Sequence, residues 1–335
     1  LWKEMGELGW AGILLPEQYG GSELGLAEFG VILEECGRKL SPYPFLSTSV
    51  LGASAIVLGG SDAQKQAILP GVSAGDTLLA LAFQETPRFD PYAIGTTAKE
   101  ASGGYEISGE KVFVLDGHVA DHLIVAARTS GTAGDRDGLT VFLVDPSANG
   151  VEVLRTNMVD GRNAAKIRFE GTAVASDAVL GSVGSGADLL DAVLERGTVA
   201  LSSELLGISR EAFERTVEYL KTREQFGVKI GTFQGLKHRA AEMFCEIELS
   251  QSVVMEAQRA VDEEREHRDR IVSAAKARVS DTSSLVAREG LQMHGGIGMT
   301  DEEEIGLFLK RGKAAELTFG DGNYHRDRFA KATGY

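Results

Sequence analysis

Three spacings of apolar and polar residues follow one another along the chain. Residues 1 to about 78 repeat apolar side chains every three or four positions, as in Leu26, Phe29, Ile32 and Leu33, which predicts helices. The Pro-x-x-x-Gly-Gly stretch at Pro16–Gly21 interrupts them. From about 79 to 184 the period shortens. Thr96–Ala101 and Tyr105–Gly109 flank Gly103-Gly104 and predict a hairpin, because glycine accepts positive φ. His122–Ala127 and Leu139–Val144 are apolar runs of strand length, and Lys166–Glu170 alternates with Ile167 and Phe169 on one side. From about 185 the helical period returns. Phe233, Leu236, Ala240, Met243 and Ile247 form an amphipathic stripe, and long helical patterns cover about 187–220, 268–292 and 301–315.

The expected architecture is an α+β multidomain fold with three parts: an N-terminal α-helical domain over 1–78, a central β-barrel or sandwich over 79–184, and a C-terminal four-helix bundle over 185–335. No Gly-x-Gly-x-x-Gly turn stands between a strand and a helix, so a doubly wound dinucleotide fold is excluded.

Composition narrows the function. The 335 residues are 43% apolar and 25% charged, as in ordinary globular proteins. Thirty-four basic against 49 acidic side chains leave a net charge of -15, which speaks against a nucleic-acid partner. No run reaches the ~20 apolar residues of a membrane span. Two distant cysteines, Cys36 and Cys245, support neither a disulfide framework nor a metal site. The chain opens on Leu1 and is read as trimmed, so the missing targeting peptide weighs little. The expected location is a bacterial cytoplasm or a mitochondrial matrix.

Four segments carry candidate chemistry. Arg223, in Tyr219-Leu-Lys-Thr-Arg223-Glu-Gln-Phe226-Gly227, lies near a helix end that the glycine is expected to close. Its planar fork suits a pyrophosphate, or simply opposes the helix dipole. In Gln292-Met-His-Gly295-Gly296-Ile-Gly298 close glycines either let backbone N–H groups approach a phosphate or only stop a helix. His294 beside them reads as structural. Glu195-Arg196 sits among apolar positions, where a carboxylate must be paired or functional. The fourth is the turn Leu317-Thr-Phe319-Gly320-Asp321-Gly322-Asn323.

Taken together these segments resemble the acyl-CoA dehydrogenase family. The resemblance rests on Leu8-Gly9-Trp10, Pro16-Glu17, Gly20-Gly21, Gly109-Glu-Lys111-Val-Phe113, Ala120-Asp121, Arg223-x-x-Phe226-Gly227 with Phe233-Gln234, and Gln292-x-x-Gly295-Gly296-x-Gly298, in that order over essentially the whole chain. It implies FAD held between subunits of a homo- or heterotetramer, or a dimer. Arg223, Phe226 and Gln234 would touch FAD from one subunit, and Gln292, Gly295 and Gly296 from the neighbour. It also implies α,β-dehydrogenation of an acyl-CoA thioester. A carboxylate takes the α-proton, flavin N5 accepts the β-hydride, and electrons leave to an electron-transferring flavoprotein.

Many members carry the base in a Glu-Gly-Thr turn near the C-terminus. Here that position is Gly320, in Phe319-Gly320-Asp321-Gly322. A second branch, including isovaleryl- and long-chain enzymes, places the glutamate on the first bundle helix before an arginine. Glu195-Arg196 matches it, which implies Glu195 as base and Arg196 beside the substrate. Asp321 is the runner-up, one residue out of register. The usual Thr-Glu-Pro-x-x-Gly-Ser-Asp loop reads Phe83-Gln84-Glu85-Thr86-Pro87-Arg88-Phe89-Asp90. The usual Trp-Ile-Thr reads Phe113-Val114-Leu115, so Phe113 and Leu115 fall beside the flavin and Leu115 offers no hydroxyl. These departures motivate an alternative, a non-catalytic or co-catalytic subunit of a heteromeric dehydrogenase.

Overall fold

A computed structural model describes residues 1–335. Four helices open the chain: α1 (Trp2–Glu7), α2 (Leu26–Arg38), α3 (Ala53–Gly59) and α4 (Asp62–Ser73). Eight strands follow: β1 (Leu79–Ala82), β2 (Thr97–Ala101), β3 (Gly104–Leu115), β4 (His122–Arg128), β5 (Leu139–Val144), β6 (Val151–Asn157), β7 (Asn163–Ala175) and β8 (Val179–Leu180). Then come α5 (Gly186–Thr222), the short strands β9 (Glu224–Gln225) and β10 (Val228–Lys229), α6 (Gln234–Asp262), α7 (Arg268–His294), α8 (Ile305–Leu317) and α9 (Gly322–Thr333). No helix is long and apolar enough to cross a membrane.

The chain divides into two compact units, Leu1–Gly25 with Tyr43–Gly197, and Leu26–Pro42 with Thr198–Tyr335. In the first, β1–β8 form one sheet in the order β6-β7-β3-β2-β4-β5-β8, and β1 lies parallel to β4 off that path. Strand β4 is central, so both its faces are covered and Leu123–Ala127 are all buried. Strand β7 alternates as expected: Ile167 and Phe169 are buried, while Arg168 reaches out to Glu110 and Glu152. The Gly103-Gly104 hairpin forms with Gly103 at φ 84°. The sequence pattern missed β1, an apolar run of four residues, and β6, whose edge position leaves too few buried residues to set a period.

In the second unit α7 packs against α6, α8 and α9. Helix α2 lies against the part of α5 in this unit at close range. A Cβ on Gly37 would stand 2.2 Å from the Glu204 carbonyl oxygen, and one on Gly207 1.8 Å from that of Glu34. Only glycine permits that backbone approach. The predicted α6 stripe is buried only from Met243 onward. Phe233 is 39% exposed, and Phe244 and Leu249 on the same helix are about half exposed. The apolar period identifies the helix, but this chain alone does not cover all of it. Helix α9 leaves no apolar period in the sequence, because it is polar and buries only Gly322 and His325.

Candidate functional site

In the first unit Glu195 lies on α5, ten residues into the helix, and is only 8% exposed. Arg196, the next residue, is half-buried. Adjacent helical residues point about 100° apart and do not face each other. Asp188 and Asp191 precede Glu195 by seven and four residues, so all three share one stripe of α5.

Phe113 occupies a break in the β3–β7 ladder, where the register shifts between Lys111 and Val114. Its φ of 52° and 46% exposure mark a bulge that turns the ring outward while Val114 goes into the core. Leu115 is half-buried. Beneath them Lys111 is fully buried. Its ammonium donates to Glu85 Oε1 at 2.6 Å and to the Phe83 carbonyl at 3.2 Å. Burial pushes the lysine down, and the Glu85 carboxylate pulls it part of the way back, to about 8. Glu85 also accepts the Gly95 and Thr96 N–H groups at 2.7 and 3.0 Å. The start of the Phe83–Asp90 segment is therefore held by the buried Lys111 ammonium.

In the second unit α5 ends at Thr222, and Gly227 does not close it as expected. Phe226 and Gly227 are the two corners of the β9–β10 hairpin, at φ 55° and 77°. Two positive φ values in a two-residue turn match the right-handed twist of the strands. Lys229 Nζ donates to the Thr222 carbonyl at 2.9 Å and caps the helix instead. The hairpin leaves Phe226 91% exposed, in edge contact with Phe233, their ring centres 6.2 Å apart. Arg223 and Gln234 are exposed, and the Arg223 guanidinium has no carboxylate partner.

Gly295 ends α7 with φ 65°, its N–H donating to the Gln292 carbonyl. A Cβ at Gly295 or Gly296 would meet open space. His294 is buried: its Nδ1 lies 2.7 Å from the Gly290 carbonyl oxygen, and its ring stacks on Tyr219 with centres 4.5 Å apart. It is structural, and it joins the end of α7 to the end of α5. Asp321 accepts the Tyr324 N–H at 2.8 Å and caps α9.

The three segments of the chain match three domains of one family in order. Residues 1–76 match the acyl-CoA dehydrogenase N-terminal domain, 81–172 the middle domain and 184–334 the C-terminal domain. The mitochondrial isovaleryl-CoA dehydrogenase of Solanum tuberosum is 30% identical over 97% of this chain and 80% of its own length. This chain belongs to the acyl-CoA dehydrogenase family. The crystal structure of an acyl-CoA dehydrogenase from Geobacillus kaustophilus superposes with a TM-score of 0.93 at 26% identity, covering 100% of this chain and 89% of the other. A steroid ACAD, Tcur3481-Tcur3483, gives a TM-score of 0.87 at 31% identity, covering 99% and 87%.

Sequence reasoning missed Arg128 and Arg136, which gather with Tyr92 around the start of α5. The available signal was the spacing of Asp188, Asp191 and Glu195, three carboxylates on one stripe.

Proposed function

We propose that this chain dehydrogenates an acyl-CoA thioester between its α- and β-carbons with Glu195 as the base. One observation carries the assignment. The C-terminal turn that holds the base in many relatives has Gly320 there, and its neighbour Asp321 is committed to capping α9. Glu195 is instead a carboxylate withdrawn from water on the helix used by the isovaleryl branch. An aligned base contributes on the order of 100- to 10,000-fold in rate. Arg196, one residue on, is assigned to the substrate.

The residues present fit FAD. An anionic pyrophosphate needs an uncommitted cation, and Arg223 is one. A planar ring system needs apolar surface, which Phe113 and half-buried Leu115 offer in the first unit and exposed Phe226 offers in the second. Gln234 and Gln292 add amide donors, and Gly295 and Gly296 leave the backbone open to approach. When bound, FAD supplies the acceptor for the hydride leaving the β-carbon. An electron-transferring flavoprotein is the proposed onward acceptor. The exposed Phe226, Phe244 and Leu249 support assembly with further copies or a related subunit, a dimer or tetramer.

The test is anaerobic mixing with a panel of acyl-CoAs while flavin absorbance is followed. Glu195→Gln should slow bleaching at least ~100-fold and leave FAD bound. Unchanged bleaching removes Glu195 from the mechanism. The second reading, a subunit of a heteromer, is favoured by Leu115, which lacks the usual hydroxyl, and by the paired Tcur3481-Tcur3483 neighbour. A colourless chain that gains FAD only with a second dehydrogenase subunit would select it.

A further inference from the structure

Two loops of the first unit meet the start of α5 through a set of charged side chains that the reading above does not use. The Arg136 guanidinium, in the β4–β5 connection, bonds Asp191 Oδ2 at 2.5 Å and Asp188 Oδ1 at 2.9 Å. It also donates to the Tyr92 hydroxyl and lies over the Tyr92 ring, 5.0 Å from its centre. The Tyr92 hydroxyl in turn donates to Asp191 Oδ1 at 2.5 Å. Asp191 is thus held by two partners from two different loops.

These loops are fixed from below. Buried Arg128 donates to the carbonyls of Tyr92 at 3.1 Å and Ile94 at 2.8 Å on one loop. On the other it reaches Asp135 at 2.6 Å and Asp137 at 3.1 Å. The Gly134 N–H also bonds the Tyr92 carbonyl, at 2.8 Å. Arg128 therefore locks the backbone on both sides of Arg136 and at Tyr92. The outer side chains are left to grip the helix.

Asp191 stands four residues before Glu195, about 6 Å along the helix axis and on the same stripe. A helix turn is stiff over that distance, so a restraint on Asp191 is passed to Glu195 in addition to the packing of buried Leu190, Val193 and Leu194. We propose that Arg136, with Tyr92 and Asp191, is a clasp that positions Glu195 for proton abstraction. It rests on the reading of Glu195 as base. A misplacement of about 1 Å in such a group costs up to ~100-fold in rate.

The test uses the FAD-loaded enzyme and variants Arg136→Gln, Arg136→Lys, Tyr92→Phe and Glu195→Asp. Arg136→Gln should lower kcat about tenfold with KM within about twofold, and Arg136→Lys should restore part of it. Amide hydrogen exchange over residues 187–195 should quicken in Arg136→Gln and not elsewhere in the sheet. Combined with Glu195→Asp, whose carboxyl is already set back, the loss from Arg136→Gln should not multiply. Tyr92→Phe should fall between wild type and Arg136→Gln. Multiplying losses, a raised KM with normal kcat, or unchanged exchange would each overturn the clasp. If Glu195→Gln abolishes turnover while Arg136→Gln leaves kcat intact, the clasp fails and the base stands. If Glu195→Gln keeps turnover, the base falls and the clasp loses its role with it.

Discussion

Lys111 and Lys276 are both fully withdrawn from water, one in each unit, and are held in opposite ways. Lys111 in the sheet meets a carboxylate, Glu85, at 2.6 Å. Lys276 on α7 meets four backbone carbonyls, those of Ala315 at 3.2, Glu316 at 2.8, Thr318 at 3.0 and Gly320 at 3.0 Å. These are the orphan acceptors at the end of α8 and in the turn before α9, so the lysine is a helix cap supplied by another helix. Burial lowers both ammonium groups, Lys111 to about 8 and Lys276 to about 7, where only Glu316 and Asp321 act in the other direction. A lysine paired with a carboxylate fastens one loop to one strand. A lysine among carbonyls fixes the path of the chain itself, here the turn between α8 and α9.

The comparison breaks most visibly at Lys276. Lys276→Met should destabilise by about 4 kcal/mol, since several buried carbonyls lose their donor together. Urea denaturation measures it, and a loss under about 1 kcal/mol would mean the turn needs no such cap. Lys111→Met should cost about 3 kcal/mol, because Glu85 is left as a half-buried charge without its cation. Adding Glu85→Gln should return part of that loss, which separates an ion pair from a cap.

His325 sharpens the contrast from the same turn. Its Nε2 donates to the Phe319 carbonyl at 2.9 Å, and Nδ1 has no partner. Burial first, then the Lys276 charge, push its pKa down to about 3. An unfolded histidine titrates near ~6.5, so on acidification the unfolded chain takes the proton first. The stability due to neutral His325 is complete above about pH 6.5 and is lost progressively as pH falls toward 3. From pH 7 to 5 that loss is about 2 kcal/mol. Denaturation of wild type and His325→Gln at both pH values should show a steeper acid loss in the wild type. Equal slopes would place His325 in water. The smallest effect belongs to Glu316→Gln. It should cost about 1 kcal/mol, because its carboxylate pairs with Lys313 and partly offsets the buried Lys276 charge, while the hydrogen bond to Lys276 is made by its carbonyl.

How legible these features were depends on their range. Lys111 stands in a motif the sequence displays, but the same letters do not show that Glu85, 26 residues earlier, is its partner. Lys276 looks like one more polar residue of a helical pattern, since its four acceptors come from positions 315 to 320. The α6 stripe was readable as a helix and misleading as a core. Periodicity reports which side chains want cover, not which molecule covers them. In the sequence Gly227 reads as a helix stop because glycine serves a C-cap and a tight hairpin equally well, and only the pairing of β9 with β10 decides between them.

By itself, the sequence determined the order of helical and β segments and the membership of the family. The first is written in local period, the second in motifs that keep their order along the chain. The tertiary structure alone decided that Asp321 is committed to capping α9, that Arg128 and Arg136 bind two loops to the start of α5, and that two lysines are buried with different partners. Such arrangements join residues dozens of positions apart. Side-chain identity fixes what each group can bond to, and only the folded path of the backbone fixes what it meets.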